Sequence, residues 1–163
     1  DPASLVEIGL VKPAGRVLKE YLPRNCYVYP HFAGERVLYF TCKDPTGRMK
    51  YQIPKRRELS NGVTMPLPDP AWICYGQDAL GQDGCFLVEG ENDRLSVLDA
   101  GEPHVAATIG NFCTPEVTAW LTHNAGGRTY YLCFDSDSAG EKYTDHYAKV
   151  ILNAGGKASA IRL

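Results

Sequence analysis

The sequence predicts an α/β protein with a parallel sheet flanked by helices, preceded by a smaller, β-rich, basic N-terminal subdomain. From residue 85 onward, an apolar run followed by a helical segment that closes at glycine occurs three times. The first third of the chain is instead divided by prolines and glycines into short segments. With 44% apolar and 22% charged residues, the 163-residue chain has the composition of a folded protein, and no apolar run reaches the roughly 20 residues of a membrane span.

Residues 1–80 are predicted to form the N-terminal subdomain. Residues 37–41 have the composition of a strand, the Asp-Pro-Thr-Gly sequence at 44–47 indicates a turn, and residues 48–53 alternate enough to form a return strand. Residues 58–71, with an Asn-Gly pair and three prolines, are predicted to be an exposed connection. The predicted hairpin is basic, because the stretch from residue 43 to residue 57 carries six cations: Lys43, Arg48, Lys50, Lys55, Arg56 and Arg57.

Residues 81–163 are predicted to form the sheet and its helices. The expected elements are strand 85–88, helix 91–101, strand 104–109, a helix that begins after Thr114 with Pro115 at its first position, strand 130–134, a helix opened by a capping box at Ser138 and Glu141, and strand 158–163. The inner face of the last helix is predicted to be Tyr143, Tyr147, Val150, Ile151 and Ala154. Strands joined by helices of this length are expected to run parallel.

Acidic residues follow two of these strands. Glu89-Gly90 comes directly after the first strand, and Asp135-x-Asp137 comes after the third. Parallel strands end at the same edge of a sheet, and extended geometry turns Asp135 and Asp137 the same way, so the three carboxylates can share one hard divalent cation. The alternative is that acids here cap helices or stabilise their first turns. That alternative explains Asp93, Glu116 and Glu141 well, but not Asp135, which directly follows an apolar strand.

Other phosphate chemistries fit the sequence less well. It has no G-x-G-x-x-G after a strand and no Walker lysine loop. A phosphatase of the haloacid-dehalogenase type also uses D-x-D, but too little chain follows Asp137 for its remaining residues. The six cysteines form no C-x-x-C pair and have no zinc-ligand spacing to the four histidines, which predicts reduced thiols in an intracellular protein.

The motifs around these acids resemble those of the Toprim domain, a module shared by bacterial primases, topoisomerases and some nucleases. The matching stretches are E-G-x-x-D at 89–93, Thr-Ile-Gly at 108–110 and D-x-D-x-A-G at 135–140. Their form resembles the bacterial, phage and plasmid primase branch in particular. Residues 36–48 and 73–76 are similar to the small basic subdomain that precedes Toprim in those primases. The resemblance thus extends from about residue 36 to the end and implies a Toprim-like sheet.

The resemblance also implies roles for individual residues. Glu89 would act as general base or acid in phosphoryl transfer, Asp135 and Asp137 would hold Mg²⁺ or Mn²⁺, and the supporting residues would be Gly90, Asp93 and Gly140. The basic stretch from Lys43 to Arg57 would contact template or nucleotide phosphates, the alternative being a merely solvated hairpin. The implied partners are a single-stranded DNA template, ribonucleoside triphosphates and a helicase domain or subunit, in the cytoplasm and without a membrane.

Two departures from the primase pattern qualify this expectation. Primases carry another pair of acids beyond the strand that follows the D-x-D helix, and this sequence ends where that segment would begin. It also contains no cysteine-rich zinc module and no helicase P-loop. We therefore expect a central piece of a primase from a phage, plasmid or mobile element, with no activity guaranteed for the piece alone. A Toprim nuclease and a non-catalytic DNA-binding module of a helicase are the alternatives.

Overall fold

The computed structural model describes residues 11–14, 17–20, 26–46, 56–58, 64–66, 69–109 and 114–161. The chain divides into two compact units, Asp1–Trp72 and Ile73–Leu163. This division falls before the boundary at residue 80 expected from the sequence, because Cys74, Ala79 and Leu80 belong to the hydrophobic core of the second unit.

The described strands of the first unit form three antiparallel pairs. They are β1 (Val11–Ala14) with β2 (Val17–Glu20), β3 (Tyr27–Ala33) with β4 (Arg36–Lys43), and β5 (Arg56–Glu58) with β6 (Thr64–Pro66). Strand β4 contains the strand predicted at 37–41, and it pairs with β3. The predicted return strand at 48–53 lies outside the described residues. The turn after β4 is present, since Thr46 donates its backbone N–H to Asp44 Oδ1 at 2.8 Å.

A buried polar network ties residues 69–72 to the β3–β4 hairpin. The Trp72 indole N–H donates to Nδ1 of fully buried His31 at 2.8 Å, so Nε2 carries the ring proton and donates to Thr41 Oγ1 at 3.0 Å. Asp69 is 8% exposed and forms an ion pair with Arg36. The prediction of an exposed connection over 58–71 is therefore wrong at Asp69, which is buried because Arg36 pairs with its charge.

The second unit contains a four-stranded parallel sheet in the order β10, β9, β7, β8. Its elements after the short 3₁₀ helix Gln77–Ala79 are β7 (Cys85–Val88), α1 (Glu91–Asp99), β8 (Val105–Ala107), α2 (Pro115–Asn124), β9 (Thr129–Cys133), α3 (Ser138–Asn153) and β10 (Lys157–Ala160). The predicted alternation of parallel strands and helices is confirmed. No helix in the described part of the chain has the length and apolar character needed to cross a membrane.

The core of the second unit lies between the sheet and helices α2 and α3. On α3, Tyr143, Tyr147 and Ile151 are buried, and Val150 and Ala154 pack against the same cluster at partial burial, as predicted for the inner face. Each fully buried large side chain contributes about 1.5–3 kcal/mol relative to its exposed state. This core fixes the strands, and therefore the positions of the residues at their carboxyl ends.

Two further details refine the expectations for this unit. Helix α2 begins at Pro115 after Thr114, as predicted, but Thr114 Oγ1 is buried and has no hydrogen-bond partner among the described residues, so this N-cap makes no side-chain bond. Among the described cysteines, Cys74, Cys85 and Cys133 form no disulfide. Burial raises the pKa of Cys74 and Cys85, which keeps both thiols protonated at neutral pH.

Candidate active site

The carboxyl ends of β7 and β9 lie side by side. The two strands pair in parallel up to Val88 and Cys133, so Glu89 follows the end of β7 and Asp135 follows the end of β9 by two residues. The backbone of Glu89 is also fixed to the chain after β8, because its carbonyl oxygen accepts the N–H of Ile109 at 3.0 Å. The two acidic segments therefore share one edge of the sheet, the edge at which α/β proteins bind ligands.

The electrostatics of Glu89 show that several carboxylates meet at this edge. Burial raises its pKa first, and the negative charges of Asp135, Asp137 and Asp93 raise it further. A backbone hydrogen bond from Asp135 to the Glu89 carboxylate opposes these effects in part. Glu89 is half-buried, whereas the three aspartates are exposed. The result is a concentration of negative charge that a proton or a cation would relieve.

Asp137 also forms the N-cap of α3. Its Oδ1 accepts the backbone N–H groups of Ala139 at 2.9 Å and Gly140 at 2.8 Å. The predicted capping box at Ser138 and Glu141 is therefore wrong, because Asp137 caps the helix one residue earlier and Ser138 is its first residue. The cap bonds use Oδ1 alone, and a carboxylate has a second oxygen with which to bind an ion.

The supporting residues expected from the sequence each have a structural task. The Asp93 Oδ2 accepts the backbone N–H of Gly90 at 2.8 Å, which fixes the turn from β7 into α1. Gly140 lies against the backbone of Asp135, where an added Cβ would come within 1.9 Å of the Asp135 carbonyl oxygen. Only glycine fits at that position, so the first turn of α3 packs directly on the residue that carries a candidate metal ligand.

A cleft of about 540 Å³ opens on the β10 side of Asp135. It is lined by Phe134, Asp135, Ser136, Glu141, Thr144, Asp145, Ala160 and Ile161. Asp145 was not expected at the site, although its spacing of four residues from Glu141 along a predicted helix was a usable signal. The cleft extends the negative charge of the edge toward α3.

The chemistry of these side chains fits a hard divalent cation. No three acids, histidines or thiols in the described ranges converge closely enough to form a full set of metal ligands. Mg²⁺ and Mn²⁺ do not require such a set, since Mg²⁺ is typically held by one or two carboxylates and completed by water and substrate phosphate. Asp135 and Asp137 provide that kind of oxygen donor, and their negative charges, after burial, contribute to the raised pKa of Glu89.

The predicted phosphate-binding residues belong to the first unit. Lys43 is exposed at the end of β4, and Arg56 and Arg57 lie in β5. Arg48, Lys50 and Lys55 lie outside the described residues. Their contact with nucleic acid stays a prediction.

Comparison with known proteins identifies the class of the second unit. Residues 86–163 match the family model Toprim_2, described as Toprim-like. This part of the chain therefore has a Toprim-like α/β fold. A search of curated protein sequences found no match.

Solved structures that resemble this chain include primases. One is the Aquifex aeolicus primase with its zinc-binding and RNA polymerase domains, which has a TM-score of 0.65 and 20% identity and covers 97% of this chain and 39% of its own. Another is a DNA primase domain from Pseudomonas aeruginosa, with a TM-score of 0.59 and 20% identity, covering 98% of this chain and 50% of its own. A third is the DnaG catalytic core, with a TM-score of 0.55 and 19% identity, covering 99% of this chain and 51% of its own. At these identities the likeness establishes the fold, and this chain spans about half or less of each of those chains.

Proposed function

We propose that this chain is part of a DNA primase that synthesises RNA primers on single-stranded DNA with Mg²⁺ or Mn²⁺. The observation that carries the proposal is the meeting of Glu89, Asp135 and Asp137 at the carboxyl ends of adjacent parallel strands, where burial and the charges of the two aspartates raise the pKa of Glu89. The Toprim-like match and the primase fold of the related structures support it. We further propose a cytoplasmic replication protein of a phage, plasmid or mobile element that works with a helicase.

The residues divide the chemistry between them. Asp135 and Asp137 would hold the cation, which when bound offsets the charge of the nucleoside triphosphate and positions it. Glu89 has a raised pKa, so it exchanges a proton closer to neutral pH than an ordinary glutamate and suits proton transfer from the attacking 3′-hydroxyl. Lys43, Arg48, Lys50, Lys55, Arg56 and Arg57 would contact template or nucleotide phosphates.

The test is primer synthesis by the complete protein with Asp135→Asn. Because the amide keeps the shape of the side chain and removes its charge, we expect incorporation of ribonucleotides on single-stranded DNA to fall by about 100-fold or more. The matched control is Asp99→Asn, which neutralises an exposed carboxylate at the far end of α1 and should leave synthesis unchanged.

Three outcomes would contradict a primase. Unchanged synthesis by Asp135→Asn would remove the site from the reaction. Cleavage of DNA in the absence of nucleotides would select a Toprim nuclease. DNA binding without any Mn²⁺ binding in calorimetry would select a non-catalytic module.

A further inference from the structure

The side chain of Arg94 connects the first turn of α1 to two other segments of the second unit. Its Nε donates to the carbonyl oxygen of Val105, the first residue of β8, at 3.0 Å. Its guanidinium carbon lies 4.6 Å from the centre of the Tyr75 ring, a cation–π contact. The side chain is half-buried, and a planar guanidinium can donate and stack at once.

The surroundings of Arg94 are fitted to this one conformation. Gly76 has a φ of 81°, and an added Cβ there would lie 2.1 Å from Arg94 Nε. Tyr75 is itself fixed to the sheet, since it exchanges two backbone hydrogen bonds with Ala107 at 3.1 and 2.8 Å. The guanidinium therefore rests on a rigid support, and the missing side chain of Gly76 makes room for it.

Arg94 is also the direct neighbour of the acidic site along the chain. It follows Asp93, whose carboxylate fixes the Gly90 turn, and its own backbone N–H donates to Gly90 O at 3.1 Å. The backbone of Glu89 is held by Ile109, just after β8, while the Arg94 side chain is held by Val105 at the start of β8. Both ends of the segment from Glu89 to Arg94 are thus fastened to β8 or to the residues just after it.

We propose that Arg94 is a positioning residue of the acidic site. By fastening the first turn of α1 to Val105 and Tyr75, it holds Glu89 and Asp93 beside Asp135 and Asp137 at the proposed cation site, without touching the cation or the substrate. The inference rests on the proposed function only in taking Mg²⁺ or Mn²⁺ as the ion of this site. Lysine cannot replace Arg94, because an ammonium group lacks the planar shape that donates to Val105 and stacks on Tyr75.

The experiment compares Arg94→Met and Arg94→Lys with Arg128→Met in the complete chain. Arg128 is the matched control, since its Nε also donates to a backbone carbonyl, that of Gly81, at 3.0 Å. Arg128 lies just before the start of β9, at the end of the strand opposite to the acids. Thermal unfolding measures stability, titration calorimetry measures Mn²⁺ affinity, and carboxyl NMR measures the pKa of Glu89.

We expect both Arg94 variants to weaken Mn²⁺ binding by about 10-fold, the usual effect of residues that orient metal ligands. The pKa of Glu89 should fall toward its ordinary value in these variants, because the other carboxylates are no longer held close. Arg128→Met should lower the melting temperature to a similar degree and leave both site properties unchanged. Gly76→Ala should reproduce the effect of Arg94→Met and add little to it in the double variant, since both displace the same guanidinium.

Two results would overturn the inference. In the first, Arg94→Met and Arg128→Met lower stability alike while Mn²⁺ affinity and the pKa of Glu89 stay at wild-type values. In the second, Arg94→Lys binds Mn²⁺ as the wild type does, which would make the charge of residue 94 sufficient. If the wild type itself binds no Mn²⁺, the proposed metal site fails and the inference fails with it, whereas the first two results overturn the inference while the metal site stands.

Discussion

At the scale of single residues, the shared negative charge of the strand ends works against folding when no cation is present. Glu89 experiences this repulsion, since burial and then the charges of Asp135, Asp137 and Asp93 raise its pKa. A carboxyl group whose pKa is higher in the folded than in the unfolded state stabilises the fold below the unfolded pKa. It loses that contribution as the pH rises through the folded value. The contribution of Glu89 to the stability of the fold is therefore smaller at neutral pH than at acid pH, unless a cation binds.

We expect Glu89→Gln to be more stable than the wild type at pH 7 in the absence of metal. The gain should be on the order of 0.5 kcal/mol, because solvent screens a partly exposed carboxylate. Below the pKa of an unfolded glutamate the difference should vanish, since Glu89 is then protonated in both states. Denaturant unfolding between pH 4 and pH 8, with and without Mn²⁺, measures this, and added Mn²⁺ should favour the wild type.

Glu116→Gln is the matched control for this experiment. Glu116 is an exposed acid in the first turn of α2, where the helix dipole stabilises negative charge, so its neutralisation should lower stability slightly. A loss of stability for Glu89→Gln as well, at every pH, would mean that repulsion does not dominate the environment of Glu89.

At the scale of elements, the two helices that begin at the site are started by the acids of the site. Asp93 binds the N–H of Gly90 at the start of α1, and Asp137 binds two N–H groups at the start of α3. The sequence predicts strand-end acids, because apolar runs end directly before them. It predicts the cap of α3 one residue too late, at Ser138, because Asp137 and Ser138 are both good N-caps. The close contact of Gly140 with Asp135, a consequence of packing, is consistent with the earlier start.

Gly140→Ala should damage both the helix start and the site. The new methyl group would lie within 1.9 Å of the Asp135 carbonyl oxygen, so either α3 or Asp135 must move. We expect a loss of about 1–3 kcal/mol in the free energy of unfolding, as for other overpacked positions, together with weaker Mn²⁺ binding. Thermal unfolding and calorimetry measure the two effects.

Gly81→Ala provides the comparison for Gly140→Ala. An added Cβ at Gly81 meets no atom within 4 Å, so this change should be close to neutral. Equal behaviour of the two alanine variants would show that α3 has room to adjust at Asp135.

The elements that the sequence predicts least well are those held by distant partners. Strand β3 contains Pro30, which argues against a strand, yet it pairs with β4 along its length. His31 bonds to Trp72, 41 residues away, and Arg94 contacts Tyr75 and the backbone of Val105. Hydrophobic periodicity reports local structure, so it predicts the helices of the second unit and carries no information on such long-range contacts.

At the scale of the whole molecule, charge is divided between the two units. Residues 1–72 carry 11 basic and 7 acidic side chains, and residues 73–163 carry 6 and 12. An acidic unit repels the phosphates of nucleic acid, so the Toprim-like unit needs divalent cations, a basic partner surface, or both, to approach its proposed substrates. The net charge of −2 therefore hides a basic first unit and an acidic second unit.

The same division predicts what the second unit does by itself. Residues 73–163 include Cys74, Tyr75 and Leu80 with the rest of the core, so this fragment should fold alone and bind Mn²⁺ with the affinity of the complete chain. A fragment of residues 81–163 lacks these side chains, each worth about 1.5–3 kcal/mol when fully buried, and should be far less stable. It also lacks the ring on which Arg94 rests, so its Mn²⁺ affinity should be lower where it does fold. Circular dichroism and calorimetry on the two fragments measure both effects, and equal stability would place the true start of the folding unit at residue 81 or beyond.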